Sequence, residues 1–330
     1  YEAAPDRYVS DGNPPSALTA VYDYEALAET VDSFESFADG ATLSRFLPLL
    51  PLREGFSMSS SNLRASPLEE CEHPRFGTVR IKDETAHPAG SIWDRGTVVA
   101  LSRALEGSRR TVLQPAHGPS VPSAVQYIRN SELTSYCLLE PGEDSAEAVG
   151  TGKRIRWTDS SLPTVESELR VLSEKYGFVP ALPGWNPYYG EGIKTVAYEL
   201  ADQLEEFSGR IYVHTSSVWI PAYLRKGFRE LRTLNWFEET PEVVQVRLRS
   251  EEADEPEGIR LGLPKARCVD VSESQLHQHR EEAEPRSENW TREVGVTLAG
   301  AENDLDEDSN SDGVLVLRTG EFPVSAEATG

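Results

Sequence analysis

The chain has 330 residues, 38% of them hydrophobic and 8% aromatic, enough to bury a large core as one domain or two lobes. Its 55 acidic and 32 basic residues give a formal net charge of −23, which repels nucleic-acid phosphate and anionic lipid and argues against binding to either. No apolar run approaches the roughly 20 residues that span a bilayer. Residues 1–50 read as a polar lead with a short amphipathic helix near Tyr24–Val31. From Gly77 onward strand and helix signals alternate. Thr78–Ile81 reads as a strand, and Asp94–Leu105 as a helix with Val98, Leu101, Ala104 and Leu105 on one face and Gly107 as its stop. Thr111–Leu113 is a predicted strand, Ser120–Asn130 a helix, Tyr136–Leu139 a strand and Pro141–Gly152 a charged loop. Helices are predicted at Val165–Tyr176 and, strongly, at Ile193–Phe207; Arg210–Val213 is a strand and Pro221–Leu231 a helix opening on proline. Val243–Leu248 and Val314–Leu317 complete the strands. Repeated β–α alternation predicts an α/β protein with mainly parallel sheets.

Two acidic stretches, Ser250–Gly258 and Glu302–Gly313, read as solvated loops. The aspartate spacing of the second lacks the glycine and terminal glutamate of a calcium-binding loop. Cys71, Cys137 and Cys268 are far apart, odd in number and form no C-x-x-C pair. Neither a disulfide framework nor a metal site is expected, a reducing compartment fits, and each cysteine is expected to be a small buried hydrophobe. The start, Tyr1-Glu2-Ala3-Ala4-Pro5, has no signal-peptide pattern and no initiator methionine, and reads as trimmed or partial. Lys82, Lys153, Lys175, Lys194, Lys226 and Lys265 are the only lysines. So acidic a chain with so little lysine predicts a salt-adapted, cytoplasmic protein, or else simply an acidic soluble one.

The segment His87-Pro88-Ala89-Gly90-Ser91-Ile92-Trp93-Asp94-Arg95-Gly96 resembles the motif Asn-Pro-Thr-Gly-Ser-Phe-Lys-Asp-Arg-Gly of threonine synthases, enzymes of the fold-type II pyridoxal-phosphate (PLP) group. Collinear similarities extend along the chain: Ala20–Leu27, Phe46–Pro51, Glu54-Gly55, Ile81–Glu84, Asn186–Thr195, Lys226-Gly227-Phe228 and Val314–Gly320. The resemblance, which is to the tryptophan synthase β-like group as a whole, implies two lobes, each with a mainly parallel sheet flanked by helices. A smaller lobe, 89–189, would be inserted into a larger one built from 1–88 and 190–330. The activity implied is a PLP-dependent β,γ-replacement on O-phosphohomoserine that yields threonine and releases phosphate.

The departures from the family pattern fall at the chemistry. In the family, the lysine of the first motif holds PLP as a Schiff base. Its place is taken here by Trp93, which has no amine. The family's phosphate-cradling Gly-Asn-Gly-Gly becomes Ser216-Ser217-Val218-Trp219, without a glycine to reach the positive φ that such a nest often needs. Ser216 and Ser217 still offer hydroxyls to an anion. The Ser-Thr-Gly-Asn loop reads Ala116-His117-Gly118-Pro119-Ser120, so the asparagine that contacts the ring hydroxyl becomes Pro119, which has no donor. His117 reads as a surface or packing residue, or else as a substitute acid–base. Ser91, Gly118 and Thr319 survive; Thr319 stands where the family places a hydroxyl near the pyridine nitrogen, or it is a strand-end residue making local backbone bonds. Lys82 and Lys194 match structural positions rather than the lost amine. Trp93 and Trp219 map to the walls of the family's cofactor cavity and are expected to fill the volume that PLP vacated. The family's Glu-Pro-Ala-Ser-Ala-Ala stretch becomes Thr291–Val296. The sequence therefore reads as a degenerate threonine synthase-like homologue that does not bind PLP and serves as a scaffold, regulatory subunit or binder of a small molecule in the cleft between lobes. A homodimer or a protein partner stays open. The alternative is an active lyase of threonine synthase type with an unusual cofactor anchor.

Overall fold

A computed structural model describes residues 8, 17–31, 42–53, 63–107, 109–116, 118–139, 152–156, 165–204, 207, 209–237, 240–250, 263–283, 291–305 and 313–321. In chain order the elements are α1 (Tyr24–Thr30), a 3-10 helix (Leu43–Leu49), β1 (Leu68–His73), β2 (Gly77–Asp83), a 3-10 turn (Glu84–Ala86), α2 (Trp93–Glu106), β3 (Thr111–Pro115), α3 (Val121–Arg129) and β4 (Thr134–Leu139). They continue as β5 (Gly152–Arg156), α4 (Val165–Tyr176), β6 (Val179–Pro180), α5 (Tyr188–Ile193), α6 (Thr195–Gln203), β7 (Arg210–His214), α7 (Trp219–Thr233), β8 (Glu242–Leu248), β9 (Arg267–Val271), α8 (Glu273–Ala283), α9 (Arg292–Asp304) and β10 (Val314–Arg318).

The chain divides into two compact units. One comprises Tyr1–Ala65, Trp93–Thr195 and Pro256–Leu263; the other comprises Ser66–Ile92, Val196–Glu255 and Pro264–Gly330. The first unit holds a four-stranded, wholly parallel sheet in the order β5-β4-β3-β6. Its α2 and α5 cross at glycine: a Cβ on Gly192 would lie 2.0 Å from the Arg95 carbonyl oxygen and 2.8 Å from the Gly96 Cα. The N-terminal segment joins this unit through Glu191, whose carboxylate accepts from the Ala20 amide at 3.1 Å and the Tyr22 hydroxyl at 2.7 Å.

The second unit holds a six-stranded sheet in the order β1-β2-β10-β7-β8-β9, with β1 antiparallel to β2 and every other pairing parallel. Val79, Ile81, Tyr212, Val244, Val246 and Val316 on its strands pack with Val294, Leu298 and Ala301 of α9. Among the described residues no helix is long and apolar enough to cross a membrane.

The structure revises several expectations. The helix expected at Ile193–Phe207 starts earlier and is split into α5 and α6, because Lys194 caps the first while the Thr195 hydroxyl donates back to the Gly192 carbonyl at 2.6 Å. Helix α7 begins two residues before Pro221, which its first turn tolerates because no amide bond is needed there. Glu302–Asp304 are helical rather than looped. The apolar face of α9 continues to Leu305, and Asp304 is held by the Arg210 guanidinium at 3.2 Å and the Tyr212 hydroxyl at 2.7 Å. Gly152 opens β5 rather than closing a loop. Cys137 is buried as expected, but Cys71 is half-buried and Cys268 exposed, since both sit on edge strands, where one face meets solvent. His117 and most of the two acidic stretches and the charged loop lie outside the described residues.

Candidate functional site

In the second unit, β2, β10 and β7 are adjacent and parallel, so their carboxyl ends share one edge of the sheet. Open α/β sheets bind ligands at such an edge. Five sequence-predicted residues of this unit gather there: Thr319 follows β10, Ser216, Ser217 and Trp219 follow β7, and Ser91 lies in the turn beyond β2. The two turns are in contact. The Ile92 amide donates to the Thr319 carbonyl at 2.8 Å, and a Cβ on Gly320 would lie 2.0 Å from the Gly90 carbonyl oxygen, so only glycine fits at φ 71°.

The donors at this edge are engaged by the chain's own groups. The Thr319 hydroxyl donates to Glu293 Oε1 at 2.8 Å, the Thr319 amide donates to the same oxygen, and the Gly320 amide donates to Oε2 at 3.2 Å. Glu293 is 4% exposed in the first turn of α9, which Thr291 caps by accepting from the Val294 amide. Burial pushes the Glu293 carboxyl above the usual carboxylate range, against the opposing pull of the Thr319 and Gly320 donors and of the nearby His214 ring. In the loop after β7, the Ser217 amide donates to Thr215 Oγ1 at 2.9 Å and the Trp219 amide to Ser217 Oγ at 3.3 Å. The Thr215 hydroxyl donates to the buried Glu321 carboxylate. Residues 216–219 all keep negative φ, with Val218 at −69°, so no left-handed nest forms. Ser216 is half-buried, and the Trp219 ring stacks on Tyr223 of its own helix at 6.0 Å.

In the first unit, Trp93 is 1% exposed and is the first residue of α2. Its neighbours in the motif have packing roles. Arg95 Nη1 donates to Thr195 Oγ1 at 3.2 Å, and Gly96 faces Tyr189 so closely that a Cβ would lie 2.7 Å from the ring. Arg95 and Gly96 of α2 and Tyr189, Gly192 and Thr195 at α5 and its end are thus two sides of one contact within this unit. Gly118, at φ 133°, and Pro119 are exposed in the turn between β3 and α3.

The buried lysines are paired with carboxylates. Lys82 Nζ lies 2.8 Å from Glu199 and from the Ser66 carbonyl, Lys194 Nζ 2.6 Å from Glu191 and over the Tyr22 ring, and Lys226 Nζ 2.8 Å from Glu230. Sequence reasoning missed Glu293 as the partner of the surviving Thr319 hydroxyl, and missed the Thr215–Glu321 pair altogether; the one signal was that Glu293 falls in the altered stretch 291–296. It also missed His73, His279 and Glu302, which converge at the far end of α9 although the two histidines are 279 − 73 = 206 positions apart. Burial draws the His73 ring down to about 4, which leaves it neutral at pH 7.

Residues 60–233 match the model of a family described as pyridoxal-phosphate dependent enzyme. A threonine synthase of Methanocaldococcus jannaschii is 25% identical over 238 residues, which cover 69% of this chain and 58% of the relative. A threonine synthase of Halalkalibacterium halodurans is 29% identical over 234 residues, covering 66% of this chain and 63% of the relative. The chain thus spans less than two thirds of the length of either. Among solved structures, maize serine racemase superposes with a TM-score of 0.58 at 14% identity, over 79% of this chain and 89% of its own. The processed form of threonine deaminase isoform 2 from Solanum lycopersicum gives 0.58 at 12% identity, over 98% and 95%. These likenesses establish the fold. Together with a family match over more than half its length, they make this protein a member of the pyridoxal-phosphate dependent enzyme family.

Proposed function

We propose that this chain is a threonine synthase-like homologue that keeps the fold of the family and has lost PLP chemistry, with a remaining role as a scaffold, a regulatory subunit or a binder of a small ligand. The observation that carries the reading is the buried indole of Trp93 at the head of α2, where the resemblance puts the lysine. An indole has no nucleophilic amine.

PLP fits the residues present poorly on three counts. No amine stands at position 93. The loop after β7 turns its Ser217 and Trp219 amides onto its own hydroxyls, and the buried Glu321 carboxylate bonded to Thr215 would repel a phosphate. The Thr319 hydroxyl, which would face the pyridine ring, already donates to Glu293. Lys82 and Lys194 are poor substitutes for the missing amine, since each is tied to a buried carboxylate.

The second reading, an active lyase converting O-phosphohomoserine to threonine, is favoured by the threonine synthase relatives and by the kept Asp94-Arg95-Gly96. That motif, however, has a packing reason to persist, since Arg95 and Gly96 seat α2 on α5. The two readings separate by incubating the purified chain with PLP, reducing with borohydride and weighing the intact protein. No added mass and no absorbance band above that of free PLP are expected. A lysine adduct, located by peptide mapping, would replace the first reading with the second.

A further inference from the structure

We infer that His73, His279 and Glu302 form a binding site for a borderline divalent transition-metal ion such as Zn²⁺. The site stands apart from the carboxyl-edge cluster: Glu302 is nine positions beyond Glu293 on α9, a rise of about 13 Å. One ligand atom from each of the three residues lies within 4.8 Å of the others. His279 Nδ1 is 2.9 Å from Glu302 Oε2, and His73 Nε2 is 3.7 Å from Glu302 Oε1. The two imidazoles lie nearly parallel, 9° between planes, with centroids 5.5 Å apart.

Three separate elements fix the geometry: the end of β1, helix α8 and helix α9. The His73 ring is also stacked on Phe76 at 4.6 Å and held by its Nδ1, which accepts from the Arg75 and Phe76 amides at 3.2 and 3.3 Å. Both rings are buried, while Glu302 reaches solvent beside a cavity of about 280 Å³ that His73, Arg75, Gln275, His279, Glu302 and Asn303 line. Three protein ligands beside a cavity leave a coordination position for water or a small ligand, as in open rather than closed zinc sites.

The donor set chooses the ion. Two imidazoles and one carboxylate suit Zn²⁺, Ni²⁺, Co²⁺ or Fe²⁺, whereas Mg²⁺ and Ca²⁺ favour all-oxygen sites. Arg75 opposes a cation, but its guanidinium is committed to the Glu302 and Leu305 carbonyls at 3.0 and 2.6 Å rather than to the three ligands. Coordination carries a tautomer change. With Nδ1 accepting two amides, His73 bears its proton on Nε2; a metal at Nε2 moves that proton to Nδ1 and releases both amide bonds. This lowers the affinity and supplies a spectroscopic signature.

The full chain is stripped with a chelator and titrated with Zn²⁺ and with Co²⁺ in excess Mg²⁺, which occupies surface carboxylates. One equivalent is expected to bind, the Co²⁺ form showing the visible bands of nitrogen ligation and the His73 and His279 ring nitrogens shifting in ¹⁵N spectra. Glu302→Gln and His279→Gln should each weaken Zn²⁺ binding by about tenfold or more. No stoichiometric uptake, an all-oxygen Co²⁺ spectrum, or wild-type affinity in both variants would overturn the site. Should a variant fail to fold, the wild-type Co²⁺ and ¹⁵N spectra alone decide.

Discussion

Replacing Trp93 by lysine tests the proposed loss of PLP chemistry at its central position. The indole is 1% exposed, and truncating a buried tryptophan costs about 3–5 kcal/mol. The four methylenes of lysine recover much of that, at about 0.8 kcal/mol each. The ammonium does not fit the same volume. To be buried neutral at pH 7 it must lose its proton more than three units below its ordinary value, which costs about 4–5 kcal/mol. If it stays charged, it faces the positive end of α2. The net penalty is about 5 kcal/mol, comparable to the whole stability of many domains. Urea denaturation of Trp93→Lys followed by circular dichroism should show a midpoint lower by at least about 1 M. Trp93→Leu, which keeps an apolar group, should fall less. Borohydride reduction after incubation with PLP should still add no mass at position 93, because Thr319 stays bonded to Glu293 and the loop after β7 stays closed on Thr215 and Ser217. A variant within about 1 kcal/mol of wild type that traps one equivalent of PLP would refute this reasoning and reduce the proposed loss to a single side chain.

Three further experiments probe buried interactions within the two units. Glu293 has its carboxyl raised by burial above the ordinary value of 4.5, so its contribution to stability is complete below that value and is lost as pH rises through the folded-state value; Glu293→Gln should remove this downward step, and a pH–stability curve parallel to wild type would count against it. Gly192→Ala places a methyl 2.0 Å from the Arg95 carbonyl oxygen with backbone on both sides, and should cost about 3 kcal/mol or more in urea melts; a cost below about 1 kcal/mol would mean α2 and α5 separate freely. Lys82→Met strands the buried Glu199 carboxylate and should cost about 3–5 kcal/mol, part of which a second change, Glu199→Leu, should return; equal losses in the single and double variants would show that the pairing is immaterial.

What could be read in the sequence follows from where the signal resides. Helix α2 and strand β8 carry their own periodic apolar pattern, so their ranges were legible to within a residue or so. Strand β1, Leu-Glu-Glu-Cys-Glu-His, has glutamate at three of its six positions; it is a strand because β2 pairs with it, and that partnership is not written in its own residues. Helix α8 is similarly polar, and β6 is two residues long. At the site, Thr319 was legible as a survivor, but its partner Glu293 was not, because the contact joins a helix start to a strand end 26 positions later. The His73–His279–Glu302 cluster has no spacing signature for the same reason: it exists only once β1, α8 and α9 are folded together.

On the proposed reading the chain has no catalytic reason to keep a catalytic motif, so the similarity must have a physical one. The retained residues have other work. Gly96 and Gly192 set the separation of α2 and α5, Arg95 bonds Thr195, Gly90 and Gly320 set the approach of two turns, and Lys194 neutralises the Glu191 carboxylate that anchors the N-terminal segment. Each such contact is between two of the matched segments or anchors one of them, so changing either partner breaks a buried fit at a cost of several kcal/mol. By the resemblance, Trp93, Pro119 and Ser216–Trp219 are positions whose family counterparts would answer to a bound group rather than to another part of the chain. On the proposed reading that this group is no longer bound, only the need to fill space and satisfy donors would hold them to any identity. Packing therefore preserves the match that identifies the family, while the chemistry rests on a few side chains that packing does not protect.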